Sequence, residues 1–199
     1  MDRRRYVAAS MGIVGGTLAG CTALAGETEL TEPTESREGH SVRFVYEEED
    51  EDGELLGVYF DGRPDTPWKS VDRIPDAPGF HRLRIGIEQP GNVTLDSYRF
   101  RFEPAGDRGA NIYLHPPELG HEDTFDTYRD SDWTVVEAEY DDGTTVGTGF
   151  EVFVYSDGEG DSGSTPVLAA YELILSGDGY LDGRFVARDR TTIDLGDPE

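Results

Sequence analysis

The sequence predicts an all-β protein: a single antiparallel β-sandwich, or a barrel-like sandwich, placed after a signal peptide and a flexible tether. Three observations predict it. Segments of alternating apolar and polar residues recur from Ser41 to Leu195, turns rich in Gly, Asp and Pro separate them, and no helical period appears beyond the first twenty residues. The 155 residues of that stretch suit one domain, large enough to bury roughly two-thirds of its chain surface.

The chain opens with a cationic start (Arg3, Arg4, Arg5), an apolar stretch from Tyr6 to Ala19, and then Gly20-Cys21. These are the ordered parts of a removable export signal. The apolar run falls short of the roughly 20 residues a membrane-spanning helix needs, and its glycines weaken it as a permanent helix. Arg3-Arg4-Arg5-Tyr6-Val7 resembles the twin-arginine export motif, and Leu18-Ala19-Gly20-Cys21 resembles a lipobox. The resemblance implies residues 1–20 as the signal peptide, with Arg3 and Arg4 as its export residues. It further implies cleavage before Cys21, lipid on the Cys21 thiol, and anchoring to the outer face of the cell membrane. Cys21 is the sole cysteine, which rules out an internal disulfide and any thiolate-built metal or iron–sulfur site.

Net charge is the second strong signal. The chain carries −25, and loss of residues 1–20, with three arginines and one aspartate, takes it to −27. Such a chain repels nucleic acid and anionic lipid, so neither is expected as a partner. Lys69 is the only lysine beside sixteen arginines. Strand periodicity argues against disorder and for a folded surface suited to concentrated salt, where screening removes self-repulsion. This surface chemistry is similar to that of secreted proteins from halophilic archaea. Together with the export motifs it resembles haloarchaeal surface lipoproteins, a resemblance that names no activity.

Residues 21–40 show no period and little bulk, and read as a lipidated N-terminus and acidic tether ahead of a domain over 41–199. Val42, Phe44 and Tyr46 then share one strand face. Glu54 to Phe60 forms a second strand, with Asp61-Gly62 as a hairpin-type turn. Four prolines mark 63–79 as a long loop, with a short helical turn at 68–73. Phe80 to Gln89 alternates cleanly, with Leu83, Ile85 and Ile87 inward. Beyond Pro90-Gly91-Asn92, Val93 and Leu95 alternate in one phase and Tyr98, Phe100 and Phe102 in the other. That flip predicts a bulge near Asp96-Ser97. A strand at Ala110 to Leu114 and a polar loop over 116–132 come next. Strands at 133–140, 145–155, 166–176 and 184–195 complete the set, with Asp141-Asp142-Gly143 as one of the turns. The runs around Phe100, Val152 and Tyr171 are apolar on both faces and should be central strands.

Candidate sites are sparse. His115, Glu118, His121 and Asp123 form the densest set of borderline-metal ligands, but their spacing matches no metal motif, and no metal or cofactor is expected. Gly160-Asp161-Ser162-Gly163 resembles the nucleophile segment of chymotrypsin-like hydrolases. A base is missing, because His81 sits in phase with core residues and His40 in the tether, so an enzyme is not expected. Trp68, Trp133, Tyr113, Tyr128 and Tyr155 would offer an aromatic platform to a sugar if they shared a face, although strand aromatics belong first to a core. Asn92-Val93-Thr94 matches a glycosylation sequon. The expected role is a lipid-anchored cell-surface module acting in envelope structure or protein interaction. The alternative is a binding module for carbohydrate or a divalent cation.

Overall fold

The computed structural model describes residues 27–47, 53–64, 80–89, 93–105, 110–114, 125–144, 148–156, 166–177 and 183–195. In chain order its strands are β1 (Glu27–Leu30), β2 (Thr34–Glu38), β3 (Ser41–Glu47), β4 (Glu54–Pro64), β5 (Phe80–Glu88) and β6 (Val93–Pro104). They continue as β7 (Ala110–Leu114), β8 (Asp126–Asp130), β9 (Trp133–Thr144), β10 (Thr148–Ser156), β11 (Pro166–Gly177) and β12 (Gly183–Asp194). The first sheet runs β1-β12-β11-β6-β9-β8, and the second runs β2-β3-β4-β5-β10-β7. All neighbours are antiparallel except β1, which lies parallel to β12. The two sheets pack face to face over one core, which is the expected β-sandwich.

The core follows directly from strand alternation. Val42, Phe44, Val58, Phe60, Leu83, Ile85 and Val152 point inward from the second sheet, and Leu95, Phe100, Phe102, Val136, Leu173 and Ile193 from the first. Phe100 is its hub: ring centroids of Phe150, Tyr98, Phe60 and Tyr171 lie 5.3, 5.6, 6.0 and 6.0 Å away, all edge-on or tilted. Such aromatic pairs add to the free energy of burial itself. Tyr46 and Tyr171, from opposite sheets, join their hydroxyls at 2.8 Å inside this core. As expected, β6 and β11 are central in their sheet, whereas β10 has neighbours on both sides but lies next to the edge strand β7.

The predicted bulge is present. Asp96 is skipped in both registers of β6: Ile174 and Leu175 pair with Ser97 and Leu95, while on the other side Ser97 pairs with Glu139 and Leu95 with Thr144. Ser176 Oγ donates to Asp96 Oδ2 at 2.5 Å, which holds the extra residue. The same irregularity corrects one expectation. Asp141-Asp142-Gly143 does not end a strand but forms an excursion within β9 opposite Asp96, with Gly143 at φ +64° supplying its left-handed residue.

Three further expectations are corrected. Residues 27–38, placed in the tether, form β1 and β2, so the domain begins before Ser41. Leu30 packs against the core, and Arg37 on β2 crosses to β12, donating to Thr191 Oγ1 at 2.6 Å and Thr192 O at 3.0 Å. The stretch reads as tether because every residue of β2 is exposed: an edge strand built of charge and hydroxyls has no apolar period. Asp61-Gly62 is not a turn, because β4 continues to Pro64 against β5 and the Gly62 amide donates to His40 O at 3.1 Å. Finally, the polar loop over 116–132 contains β8, again exposed throughout.

Candidate interaction surface

The outward face of the first sheet carries the most organised set of polar and aromatic side chains among the described residues. Antiparallel register places Arg188 of β12 and Arg99 of β6 on either side of Glu172 of β11. Arg99 in turn stands opposite Glu137 of β9. The charges therefore alternate across the sheet. Arg188 meets Glu172 at 2.6 Å and Glu29 of β1 at 3.8 Å, and Arg99 meets Glu137 at 3.5 Å. Each such exposed pair contributes little alone, but a row in fixed register orients every guanidinium. Hydrogen bonding to Glu172 raises the Arg188 pKa still further.

At the β8 end the row finishes on Tyr128, whose hydroxyl accepts from Arg99 at 2.7 Å and donates to Glu137 Oε2 at 3.0 Å. Its pKa is raised, first by desolvation and then by the Glu137 bond, with Arg99 opposing. Tyr128 is 39% exposed, the one large exposed hydrophobic side chain among the described residues. Its ring takes the Arg99 guanidinium at 5.9 Å, and the Trp133 ring beside it takes Arg101 at 5.4 Å. Both distances lie within cation–π range and tie the two arginines to aromatic neighbours on β8 and β9. Val135, outward on β9 between Tyr128 and Arg101 in the register, is fully buried beneath them.

The second sheet presents a different outer face. Arg43 pairs with Glu54 at 2.7 Å and Glu88 at 2.8 Å. The Tyr59 ring covers Gly86, where any Cβ would meet the ring, and Arg84 lies 6.0 Å from the same ring.

The expected site residues divide into two groups. Arg3, Arg4, Cys21, Trp68, Asn92, His115, Glu118, His121, Asp123 and Ser162 lie outside the described residues. Among the described residues no group of three or more His, Cys, Asp or Glu is placed to hold a metal. His81 points into the core, as its phase implied, and His40 sits at the β2–β3 turn with Nδ1 2.7 Å from Asp194 O. Of the proposed aromatic platform, Trp133 and Tyr128 share one face, while Tyr113 and Tyr155 belong to strands of the other sheet. The arginines that organise the surface were visible only as the outward phase of their strands. Their partners depend on register, which no local pattern discloses.

No family model matches the chain, and no curated protein matches it. Solved structures give fold-level likenesses. One is a non-cellulosomal cohesin from the archaeon Archaeoglobus fulgidus, with TM-score 0.33 and 12% identity over 56% of this chain and 80% of that one. A second is a collagen-binding domain from a Staphylococcus aureus adhesin, with TM-score 0.35 and 8% identity over 61% and 91%. A third is an enzyme that catalyses macrocyclization in alchivemycin A biosynthesis, with TM-score 0.34 and 12% identity over 71% and 90%. Likenesses at this level, spread over binding modules and an enzyme alike, do not bear on what this chain does.

Proposed function

We propose that this chain is a lipid-anchored protein of the outer cell surface whose β-sandwich works by binding a protein partner and not by catalysis. The observation that carries the binding role is the outward face of the first sheet, where arginines, glutamates and two aromatic rings are fixed by register and stacking. Arg, Trp and Tyr are the side chains that dominate interface energetics, since they give large contact area with few rotatable bonds. Both described histidines are engaged elsewhere, one in the core and one against Asp194. The anchoring role is supported by Arg3-Arg4 and Leu18-Ala19-Gly20-Cys21.

Mass spectrometry of the N-terminal peptide tests the anchor: a mature chain starting at a lipid-modified Cys21 is expected, and C21A should release the protein from membranes. An unmodified Cys21 within an intact N-terminus would overturn it. A carbohydrate-binding role is less favoured by this face, because one side of each ring is already taken by a guanidinium. The divalent-cation reading rests on residues 115–123, outside the described ones.

A further inference from the structure

Two neighbouring rows of the first sheet's outer face differ in one respect. In the row of Glu172, both flanking arginines have carboxylate partners, Arg188 through Glu172 and Glu29 and Arg99 through Glu137. In the next row Ala170 stands in register with Arg190 on one side and Arg101 on the other. Neither of these two has a carboxylate within ion-pair distance among the described residues: Arg101 lies over Trp133, and Arg190 engages Asp189 only through its backbone N–H. In a chain with 42 acidic and 17 basic residues, two adjacent arginines without a carboxylate partner among the described residues stand out on a face that pairs Arg99 and Arg188.

We propose that the saddle over Ala170, between Arg101 and Arg190, is the docking site for an extended acidic segment of a protein partner. The two arginine Cα atoms stand two strands apart, about 9–10 Å, a separation that alternate carboxylates of an extended chain can bridge with flexible side chains. Ala170, itself only 7% exposed, sends no long side chain between the two guanidinium groups, so a ligand would meet the arginines above it. The Trp133 ring, its centroid 5.4 Å from the Arg101 guanidinium carbon, restricts where that side chain can go, and a guanidinium so placed can recognise a carboxylate through paired N–H donors. The same stacking occupies a face of the ring that a sugar would need, so the chemistry favoured is a carboxylate pair and not a pyranose. The site deepens the protein-binding role proposed above and is independent of the anchor.

The test is fluorescence anisotropy of a labelled oligoglutamate peptide titrated with the purified protein at low and high salt, beside a neutral glycine–serine peptide and labelled polygalacturonate. Saturable binding of oligoglutamate alone is expected, weakened by salt. R101A combined with R190A should weaken it about tenfold or more. A170E, which supplies a carboxylate in cis without removing either arginine, should abolish it while the far-UV circular dichroism spectrum stays that of the folded parent. R84A, on the other sheet, should bind as the parent does. Absence of oligoglutamate binding, an equal loss in R84A, undiminished binding by A170E, or tighter binding of polygalacturonate than of the peptide would each overturn the proposal. The Cys21 lipid assay is unaffected by any of these outcomes.

Discussion

The hydroxyls of Tyr46 and Tyr171 meet at 2.8 Å in the sandwich interior, one from each sheet, and both side chains are only 3% exposed. Burial is the largest cause raising both phenol pKa values well above the ordinary tyrosine value. Repulsion from Asp189 adds to it at both, whereas their mutual bond lowers Tyr46 and raises Tyr171. The folded state therefore holds these protons more tightly than the unfolded chain. The stability they contribute is fully present below the unfolded value of about 10 and is lost as pH rises above it, by about 1.4 kcal/mol per pH unit for each hydroxyl. Thermal melting followed against pH should be insensitive to the pair up to that point and fall steeply beyond it. Phenolate absorbance from the two groups should appear only with unfolding.

The same pair makes a mutational prediction. Y46F or Y171F leaves one buried hydroxyl without its partner and should cost about 1–3 kcal/mol, while the double phenylalanine variant should lie close to the parent. A denaturant double-mutant cycle measures the difference. Additive single effects would show that the two hydroxyls are not coupled.

Arg37 and Leu30 make β1 and β2 part of the domain. R37A removes two bonds to β12 and should cost about 1–2 kcal/mol. L30A, at a half-buried position against the core, should cost about the same. Melting temperatures unchanged in both variants would return residues 27–38 to the status of a tether.

Gly149 and Gly86 face one another across β5 and β10 on the outer face, yet they should not respond alike. A Cβ at Gly149 would stand 2.7 Å from the Ile85 carbonyl oxygen, a backbone atom that cannot step aside. G149A should therefore cost about 1–3 kcal/mol. At Gly86 the obstacle is the tip of the part-exposed Tyr59 ring, which can swing outward, so G86A should cost less. Urea titration of the two variants gives the order.

With a net charge of −25 the folded chain repels itself, and the ion-pair row on the first sheet offsets only part of that. Melting temperature should rise as salt increases toward molar concentration and cooperativity should weaken at low salt, because the screening length shortens from about 10 Å at 0.1 M to about 3 Å at 1 M. A flat salt profile by circular dichroism would contradict the proposed adaptation.

The fold class and the core were legible because strand alternation is a local property: Leu83, Ile85 and Ile87 lie inward as their spacing dictates, and the phase flip at Asp96 marked a true bulge. The three missed strands share one physical cause, whereas Asp61-Gly62 and Asp141-Asp142-Gly143 were read as turns because their residue types favour turns although β4 and β9 run through them. β1, β2 and β8 are edge strands whose side chains meet solvent on both faces or nearly so, and the sequence of such a strand cannot be told from a polar loop. The surface was legible in its ingredients and not in its assembly. Arg99 and Arg101 alternate with core aromatics in sequence, but that one finds Glu137 and the other finds Trp133 is decided by a neighbouring strand more than thirty residues away.

β1 lies parallel to β12 and starts beside Arg184, at the end of the sandwich where Gly177, Gly183 and Val93 also lie. Five residues separate Glu27 from the proposed lipid on Cys21, so the leash reaches about 20 Å at full stretch. If Cys21 carries that lipid, so short a leash would keep the Gly177 end nearer the membrane than the opposite end, which carries Pro104 and Pro166. The broad faces, Arg101 and Trp133 among them, would then look sideways along the membrane plane, toward neighbours on the same cell surface.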